Sequence, residues 1–176
     1  GASWYAWQQL RSRAPSPPGA LSVPNTSLTD SRQTEELLPT VVYVPANGAL
    51  IPQTSLMKRQ LEPHLHARDV VVAVLDNQRS TLSPVLKDLR LRHLYLNEAG
   101  TVFLDLKASQ PIQTESRASA WDELLAIYAM VNTIMQNVPG VKQVHFLKDG
   151  REVQTLAGHM DLSRSFVRRA DLIRSE

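Results

Sequence analysis

The chain has 176 residues, of which 43% are hydrophobic and 20% are charged. That length suits one domain with residues left over for a tail or linker, and no run approaches the roughly 20 apolar residues that a membrane-spanning helix needs. The net charge of only +2 argues against nucleic-acid binding, and the absence of cysteine excludes disulfides and thiolate metal sites.

The first 13 residues place aromatic side chains ahead of basic ones. Trp4, Tyr5 and Trp7 precede two arginines, a pattern typical of chain that leaves a bilayer. We interpret residues 1–13 as a membrane-exit stub whose membrane-spanning segment would precede Gly1. Two points leave this open, since the stub also suits an amphipathic surface segment, and basic flanks favour the cytoplasmic side of a membrane.

Residues 14–38 have the composition of a linker. Four prolines fall in this stretch with many serines and threonines and no aromatic residue. Such a composition buries too little apolar surface to offset the entropy lost on ordering. We therefore expect a semi-rigid spacer between the stub and a folded domain.

Periodic patterns begin after the linker. Residues 40–44 are β-branched or aromatic and predict a strand. The Asn47-Gly48 pair that follows predicts a turn. Residues 49–56 suit a short second strand, which Pro52 would confine to the edge of a sheet.

Apolar residues at helical spacing predict a helix over residues 62–77, although its valines would also suit a strand. Residues 78–90 lack a clear period and are expected to be irregular. Residues 92–97 and 101–106 alternate apolar and polar side chains and are joined by a turn that ends in Gly100, which predicts a hairpin. Three side chains of its second strand share one apolar face: Val102, Leu104 and Leu106.

A long apolar helix is predicted over residues 117–136. Ser119 and Asp122 fit a capping box at its start, although Ser116 could cap instead, and the Pro-Gly pair at 139–140 would end it. Its apolar positions form a wide stripe: Trp121, Leu124, Leu125, Ile127, Tyr128, Met130, Val131, Ile134 and Met135.

A second hairpin completes the pattern. Residues 141–148 predict a strand, Asp149-Gly150 a tight turn, and residues 151–156 the returning strand. The order strand, helix, hairpin, helix, hairpin predicts an α+β domain. In this domain, two helices would pack on one face of a small, largely antiparallel sheet and so bury the apolar side chains of the helices and of the sheet.

No sequence motif identifies a catalytic or cofactor site. The G-x-S-x-G elbow, the G-x-x-x-x-G-K-[ST] phosphate loop and G-x-G-x-x-G are all absent from the sequence. Asp122 and Glu123 are adjacent on a helix, so their carboxylates should diverge rather than share a proton. We expect no enzyme activity and no cofactor, while a hydrolase site assembled only by folding stays as a minor alternative.

The five histidines have structural interpretations. His159 and Asp161 form an H-x-D, but nothing nearby supplies the further ligands of a metal site, so a hydrogen-bonded turn is favoured. His64 and His66 could share a metal in a loop but would point apart at a helix start, and both are expected to be solvated. The other two lie on predicted strands and are expected to be half-buried: His93 and His145.

The C-terminal half carries three distinctive segments: DELLAIYAMVNTI from Asp122, PGVKQVHFL from Pro139 and DGREVQTLAGHMDLS from Asp149. They resemble the GerMN domain family, named for sporulation and spore-germination proteins, and the resemblance covers about residues 39–166. One departure is Ser165, where the family often has proline before the aromatic residue. The matching positions of the last motif, which we expect to be structural, are Leu156, Gly158, His159, Asp161, Leu162 and Ser163.

The resemblance implies a compact α+β fold similar to the ring-building motifs of secretion and sporulation machines. Members of the family are typically membrane-anchored or lipoproteins that face outward, and they look like adaptor or assembly modules without recognised catalytic residues. We therefore expect an extracytoplasmic domain of the bacterial cell envelope, anchored to the inner membrane through the segment before the stub. A shared fold does not fix a function.

The leading hypothesis is a protein-interaction or assembly module whose partner is another envelope protein or a second copy. Its contact would be a sheet edge, an outward helix surface, or the basic end of the chain, residues 167–176 with those just before it. That end would alternatively be a solvated tail or a final helix packed on the domain. The alternative function is binding of cell-wall peptidoglycan, which a groove lined by exposed aromatic side chains would favour. The candidate surface residues of the basic end are Arg164, Phe166, Arg168 and Arg169.

Overall fold

The structure is a computed structural model that describes residues 36–110 and 118–175. The predicted stub over residues 1–13 and nearly all of the linker over residues 14–38 lie outside the described residues, as does the alternative cap Ser116. Within the described parts, no helix is long and apolar enough to cross a membrane.

The folded unit opens with a β-hairpin. Strands β1 (Leu37–Ala46) and β2 (Ala49–Lys58) pair in antiparallel fashion over their whole length. Asn47 and Gly48 have φ angles of 51° and 77°, and the tightest hairpin turns require positive φ at both of these positions. The second strand is longer than the predicted 49–56, and with β1 it forms a two-stranded sheet of its own.

Helix α1, Pro63–Leu75, confirms the predicted helix and begins with a proline, which suits the first helical position. Two short 3-10 helices follow in the stretch expected to be irregular, Gln78–Leu82 and Leu86–Asp88. The buried side chains of α1 recur at helical spacing, so its valines serve a helix rather than a strand: Ala67, Val70, Val71, Val74 and Leu75.

The second sheet has four strands in the order β3-β4-β5-β6. Strand β4 pairs with β5 in parallel, whereas the other two pairs are antiparallel. Parallel neighbours need a long crossover connection, and here the crossover contains helix α2. Together these elements confirm the α+β class, with one parallel pair that the sequence did not reveal. Their bounds are β3 Leu89–Leu96, β4 Thr101–Ala108, α2 Ala120–Asn137, β5 Gln143–Lys148 and β6 Arg151–Glu152.

The predicted capping box at the start of α2 is confirmed. The Oγ of Ser119 accepts the backbone N–H of Asp122 at 3.1 Å, and the Asp122 carboxylate accepts the backbone N–H of Ser119 at 2.8 Å. These bonds satisfy N–H groups that have no partner inside the helix. They also fix where α2 begins relative to the loop before it.

Both helices and the inward faces of the two sheets share one hydrophobic core. The apolar face predicted for β4 is buried throughout, and most of the α2 stripe is buried with it. Trp121 is the clear exception, because 49% of this residue is exposed. The largest side chains that the core encloses fully include Phe146, Leu50, Leu86, Leu89, Leu104, Leu106, Ile127, Met130, Ile134 and Leu162.

Strand β6 is much shorter than predicted. The sequence suggests a returning strand over residues 151–156, but only Arg151–Glu152 pairs with β5. The reason lies further along, where the backbone N–H of Leu156 donates to a side chain of α2 rather than to β5. The chain therefore leaves the sheet and forms an irregular loop over residues 153–163.

Candidate functional site

The loop over residues 153–163 is held by one buried carboxylate, that of Glu123 on α2. This side chain is fully buried. Its Oε1 accepts the N–H groups of Leu156 and Ala157 at 2.8 and 2.9 Å, and its Oε2 accepts those of His159 and Met160 at 2.8 and 3.2 Å. Buried polar groups are costly without partners, so this arrangement fixes the loop against α2.

The other motif residues build the same loop. Gly158 has a φ of +97°, a conformation that residues with side chains rarely adopt, and the His159 Nε2 lies 3.0 Å from a carbonyl oxygen just before α2. The Oδ1 of Asp161 accepts from the hydroxyl and the backbone N–H of Ser163 at 2.6 and 2.9 Å, which lowers the pKa of Asp161. Leu162 is fully buried. All of these contacts lie within the domain.

The end of the chain packs back on the domain as a strap, which we define as residues 164–175 and which includes one short 3-10 helix, Ala170–Leu172. Phe166 pairs with Val144 of β5 through two backbone hydrogen bonds of 2.8 and 2.9 Å. Its ring meets those of Tyr128 and Phe146 edge-on, with ring centres 5.8 and 5.6 Å apart. Only 8% of Phe166 is exposed, so its predicted place on an interaction surface is wrong.

Asn132 of α2 holds the strap at Arg169. Its Oδ1 accepts the backbone N–H of Arg169 and its Nδ2 donates to the backbone carbonyl, both at 2.9 Å. The guanidinium of Arg169 pairs with Asp171 at 2.7 Å, which raises the pKa of Arg169 and lowers the pKa of Asp171. The strap is therefore neither a solvated tail nor an α-helix. Two of the predicted surface residues stay largely exposed: Arg164 and Arg168.

The outer edge of β1 is closed by side chains of α2. Asn137 accepts the N–H of Val41 at 3.2 Å and donates to its carbonyl at 2.6 Å, while the Thr133 hydroxyl accepts the N–H of Tyr43 at 2.9 Å. Side chains thus take the place of a third strand. Since the backbone groups of Val41 face α2, its partner Thr54 on β2 must turn its own N–H and carbonyl toward the opposite edge.

The outer edge of β2 is occupied at one end only. The Leu50 carbonyl accepts an N–H of the strap at 2.9 Å, and Pro52 has no N–H to offer, which confirms its place at an edge. Beyond it, Thr54 and Leu56 direct backbone groups outward, and no described segment pairs with them. The Leu56 residue is 65% exposed. We call residues 54–56 the free edge of β2.

A groove of about 320 Å³ lies beside the start of α2. The indole Nε1 of Trp121 donates to the carbonyl of Gly48 in the β1–β2 turn at 2.9 Å. This bond directs the ring toward the turn, so the prediction that Trp121 belongs to the buried stripe is wrong. Polar and apolar side chains share the rest of the lining, which includes Asn47, Arg79, Leu82, Ser83, Asp122 and Leu125.

The histidines form no metal centre in the described parts, where no group of three or more His, Asp or Glu residues is placed to hold an ion. His64 lies in the first turn of α1, 3.4 Å from Glu62. In the same turn, His66 is half-buried and its Nδ1 has no hydrogen-bond partner among the described residues, so the expectation that this residue is solvated is wrong for that nitrogen. His93 is exposed rather than half-buried.

His145 on β5 contacts two polar side chains. Its Nε2 lies 2.8 Å from the Glu152 carboxylate, and its Nδ1 lies 3.4 Å from the Oγ of Ser165. These residue types also form hydrolytic triads, but here the carboxylate is mostly exposed and the groove beside Trp121 is lined by other residues. Because the three side chains belong to β5, β6 and the strap, their contact joins these segments.

Comparisons with known proteins agree with the resemblance seen in the sequence. A family model named Germane, described as sporulation and spore germination, matches residues 29–154. The first GerMN domain of the sporulation protein GerM from Bacillus subtilis is 15% identical with a TM-score of 0.55, and the match covers 76% of this chain and 99% of that one. The tandem GerMN domains of the same protein give the same identity and score, with 75% and 46% covered. Likeness at this identity shows the fold, and a search of curated proteins finds no match.

Proposed function

This chain belongs to the Germane family of sporulation and spore germination domains, and on that premise we propose that it is a non-catalytic protein-interaction module. The observation that supports the proposal is the free edge of β2. Its outward N–H and carbonyl groups offer an extended partner segment the hydrogen bonds of an added strand.

As far as the described residues show, residues 54–56 lack the features that normally protect an exposed strand. Proteins block such edges with charged residues, prolines, bulges or covering segments. Here α2 covers β1, the strap covers β2 at Leu50, and Pro52 interrupts the donors. Between Pro52 and Lys58 the strand carries no charged residue, and Leu56 adds an exposed apolar side chain beside the open backbone groups.

The partner in this proposal is another protein of the bacterial envelope or a second copy of the chain. The resemblance to GerMN domains, which typically face outward, supports an extracytoplasmic place, and the aromatic and basic residues 4–13 support attachment to the inner membrane through a segment before them. The spacer composition of residues 14–38 would give the domain reach from that membrane.

A proline at position 54 tests the free edge. Thr54→Pro removes an outward N–H but no bond of the β1–β2 ladder, because that residue faces away from β1. We expect a photo-crosslinking residue at position 56 of the full chain to give a discrete adduct in the envelope, and we expect Thr54→Pro to abolish it. Thr54→Ala, which keeps the N–H, should preserve the adduct.

Light scattering of the full chain over a wide concentration range separates the two kinds of partner. A mass that rises with concentration, and that Thr54→Pro returns to the monomer, identifies a second copy. A monomer throughout, combined with an adduct at position 56, identifies a different envelope protein. A monomer without any adduct contradicts the proposal.

A second candidate function is binding of cell-wall peptidoglycan, and the groove beside Trp121 is the observation that favours it. An exposed aromatic ring among polar side chains suits a glycan. The test is co-sedimentation of the full chain with purified wall. Pelleting that saturates would support this function, and a protein that stays in the supernatant at all wall concentrations would contradict it.

A further inference from the structure

We propose that the groove beside Trp121 is a glycan subsite that binds one pyranose ring of a β-linked N-acetylamino sugar chain. This inference rests on the second candidate function and assigns it to a particular site. The groove volume of about 320 Å³ lies at the lower end of the range for small-ligand pockets, which suits a single ring rather than an extended segment of protein.

The Trp121 ring is a platform held in one orientation. Its Nε1 donates to the Gly48 carbonyl at 2.9 Å, and Gly48 itself is fixed by the tight turn between β1 and β2, with φ +77°. The residue is nevertheless 49% exposed and lines the groove. An indole with its N–H already bonded has an aromatic face left for contacts, and the axial C–H groups of a pyranose pack well on such a face.

The electrostatics of the groove favour a neutral ligand over an anion. The start of α2 lies beside it, where the capping box satisfies the backbone N–H groups of Ser119 and Asp122. The Asp122 carboxylate accepts both the N–H and the hydroxyl of Ser119, at 2.8 and 2.9 Å. The Arg79 guanidinium lines the same groove, so its lining carries both signs of charge, which favours a neutral polar ligand over an anion.

The rim supplies the hydrogen-bonding groups that hydroxyl and acetamido substituents need. Asn47 adds an amide, Arg79 a guanidinium and Asp122 a carboxylate, all along one groove. Leu82, which also lines the groove, is 84% exposed and adds an apolar side chain. A flat apolar surface edged by planar polar groups matches a sugar ring whose substituents are equatorial, because such a ring has C–H faces and a polar rim.

The open form of the groove suits a β-linked chain. Equatorial linkages keep successive rings of a chain nearly coplanar, so one ring in mid-chain can lie on Trp121 while its neighbours continue past it into solvent. Four residues that line the groove are exposed and leave it open enough for that passage: Asn47, Gly48, Leu82 and Trp121. Axial linkages bend the chain, so successive rings would not pass the indole in one plane.

Binding of N-acetylchitotetraose to the full chain tests this assignment. In a Trp4→Phe, Trp7→Phe background Trp121 is the single tryptophan, so a saturable change of its fluorescence reports this groove alone. We expect such a change with N-acetylchitotetraose and not with maltotetraose, an α-linked glucan of equal length.

Calorimetry on variants then locates the site. Trp121→Ala should weaken binding at least tenfold, and Asn47→Gly should weaken it about threefold while keeping the turn, because glycine adopts the positive φ of that position. The matched control is Tyr95→Ala, which removes an aromatic residue of similar exposure from β3 and should leave the affinity unchanged.

Three results would overturn the assignment: no fluorescence change with the tetramer, equal affinity in Trp121→Ala, or equal losses in Tyr95→Ala and Trp121→Ala. Failure of the groove is distinguishable from failure of wall binding, because pelleting with purified wall that persists in Trp121→Ala would keep the function and refute the site. The β2 edge is tested independently, since Thr54→Pro should leave glycan binding unchanged.

Discussion

The loop over residues 153–163 and the strap over residues 164–175 are both irregular chain after the last strand, yet opposite means hold them. The loop depends on one buried carboxylate, because Glu123 accepts four of its backbone N–H groups. The strap depends on scattered contacts, among them the Phe166 ring, the Asn132 amide and a bond to Leu50. Stability of the loop is therefore concentrated in one residue, whereas that of the strap is distributed.

The largest expected effect is at Glu123. Replacing it by alanine removes the acceptor of four backbone N–H groups and leaves a cavity beside α2, so Glu123→Ala should lower the free energy of unfolding by about 4 kcal/mol. Urea denaturation measures the loss. Glu123→Gln keeps the volume but turns an NH₂ toward two N–H donors, and it should still cost about 2 kcal/mol. A loss under about 1 kcal/mol in both variants would refute the claim that Glu123 alone holds the loop.

The apolar anchor of the strap comes next. Phe166→Ala removes a buried ring that meets two other aromatic rings, and we expect a loss of about 3 kcal/mol in the same denaturation experiment. Phe166→Leu, which refills most of the space, should lose roughly half as much. Hydrogen exchange at Val144 should speed up in Phe166→Ala, since its N–H donates to the strap. Unchanged exchange would mean that the ring does not hold the pairing.

Asn132 should contribute less, because the other strap contacts persist without it. Asn132→Ala removes two hydrogen bonds to the Arg169 backbone, and the expected loss is about 1–2 kcal/mol. The matched control is Arg169→Ala, which keeps both backbone bonds and should cost under about 1 kcal/mol as a mostly solvent-screened pair. If the two substitutions cost the same, the side chain of Arg169 rather than its backbone anchors the strap.

The smallest effect is a pH dependence that both regions should share. Hydrogen bonds from Ser163 lower the pKa of Asp161 in the loop, and the bond from Arg169 lowers the pKa of Asp171 in the strap. A folded-state pKa below the unfolded value means that the stabilisation is complete at neutral pH and is lost as the pH falls through the lowered folded pKa, below about pH 4. In the double variant Asp161→Asn, Asp171→Asn, the melting temperature should depend less on pH below about pH 4 than it does in the unaltered protein. An equal pH dependence in the two proteins would contradict these contributions.

Much of the fold could be predicted because its signals are local. The Asn47-Gly48 turn, the Ser119–Asp122 capping box and the apolar face of β4 each involve residues within a few positions of one another. Such patterns express backbone preferences and side-chain periodicity, which any compact fold must respect. The family motif at residues 156–163 could also be recognised in the sequence, since its residues are close along the chain.

The functional features were harder to predict, because they join distant parts of the chain. The sequence put Trp121 in the buried stripe, since its spacing matches the core positions and nothing local shows that Gly48 will accept its N–H. It put Phe166 on a surface, since a hydrophobic residue among arginines gives no sign that Val144 will pair with it. From the sequence, Glu123 was interpreted only as a neighbour of Asp122. In the structure, its carboxylate oxygens accept N–H groups of a loop more than 30 residues away.

The sequence by itself determined the kinds of element, their order and the turns and caps between them, because each depends on interactions between residues close along the chain. It also determined the family, because the motifs of the family are short and continuous. Tertiary structure alone decided the parallel β4–β5 pair, the closing of β1 by Asn137 across 96 positions, and with it the outward direction of Thr54 on the free edge of β2. The physical reason is that hydrogen-bond alternation along a strand has two possible phases. Which phase faces solvent is set by the partner that packs against the other side.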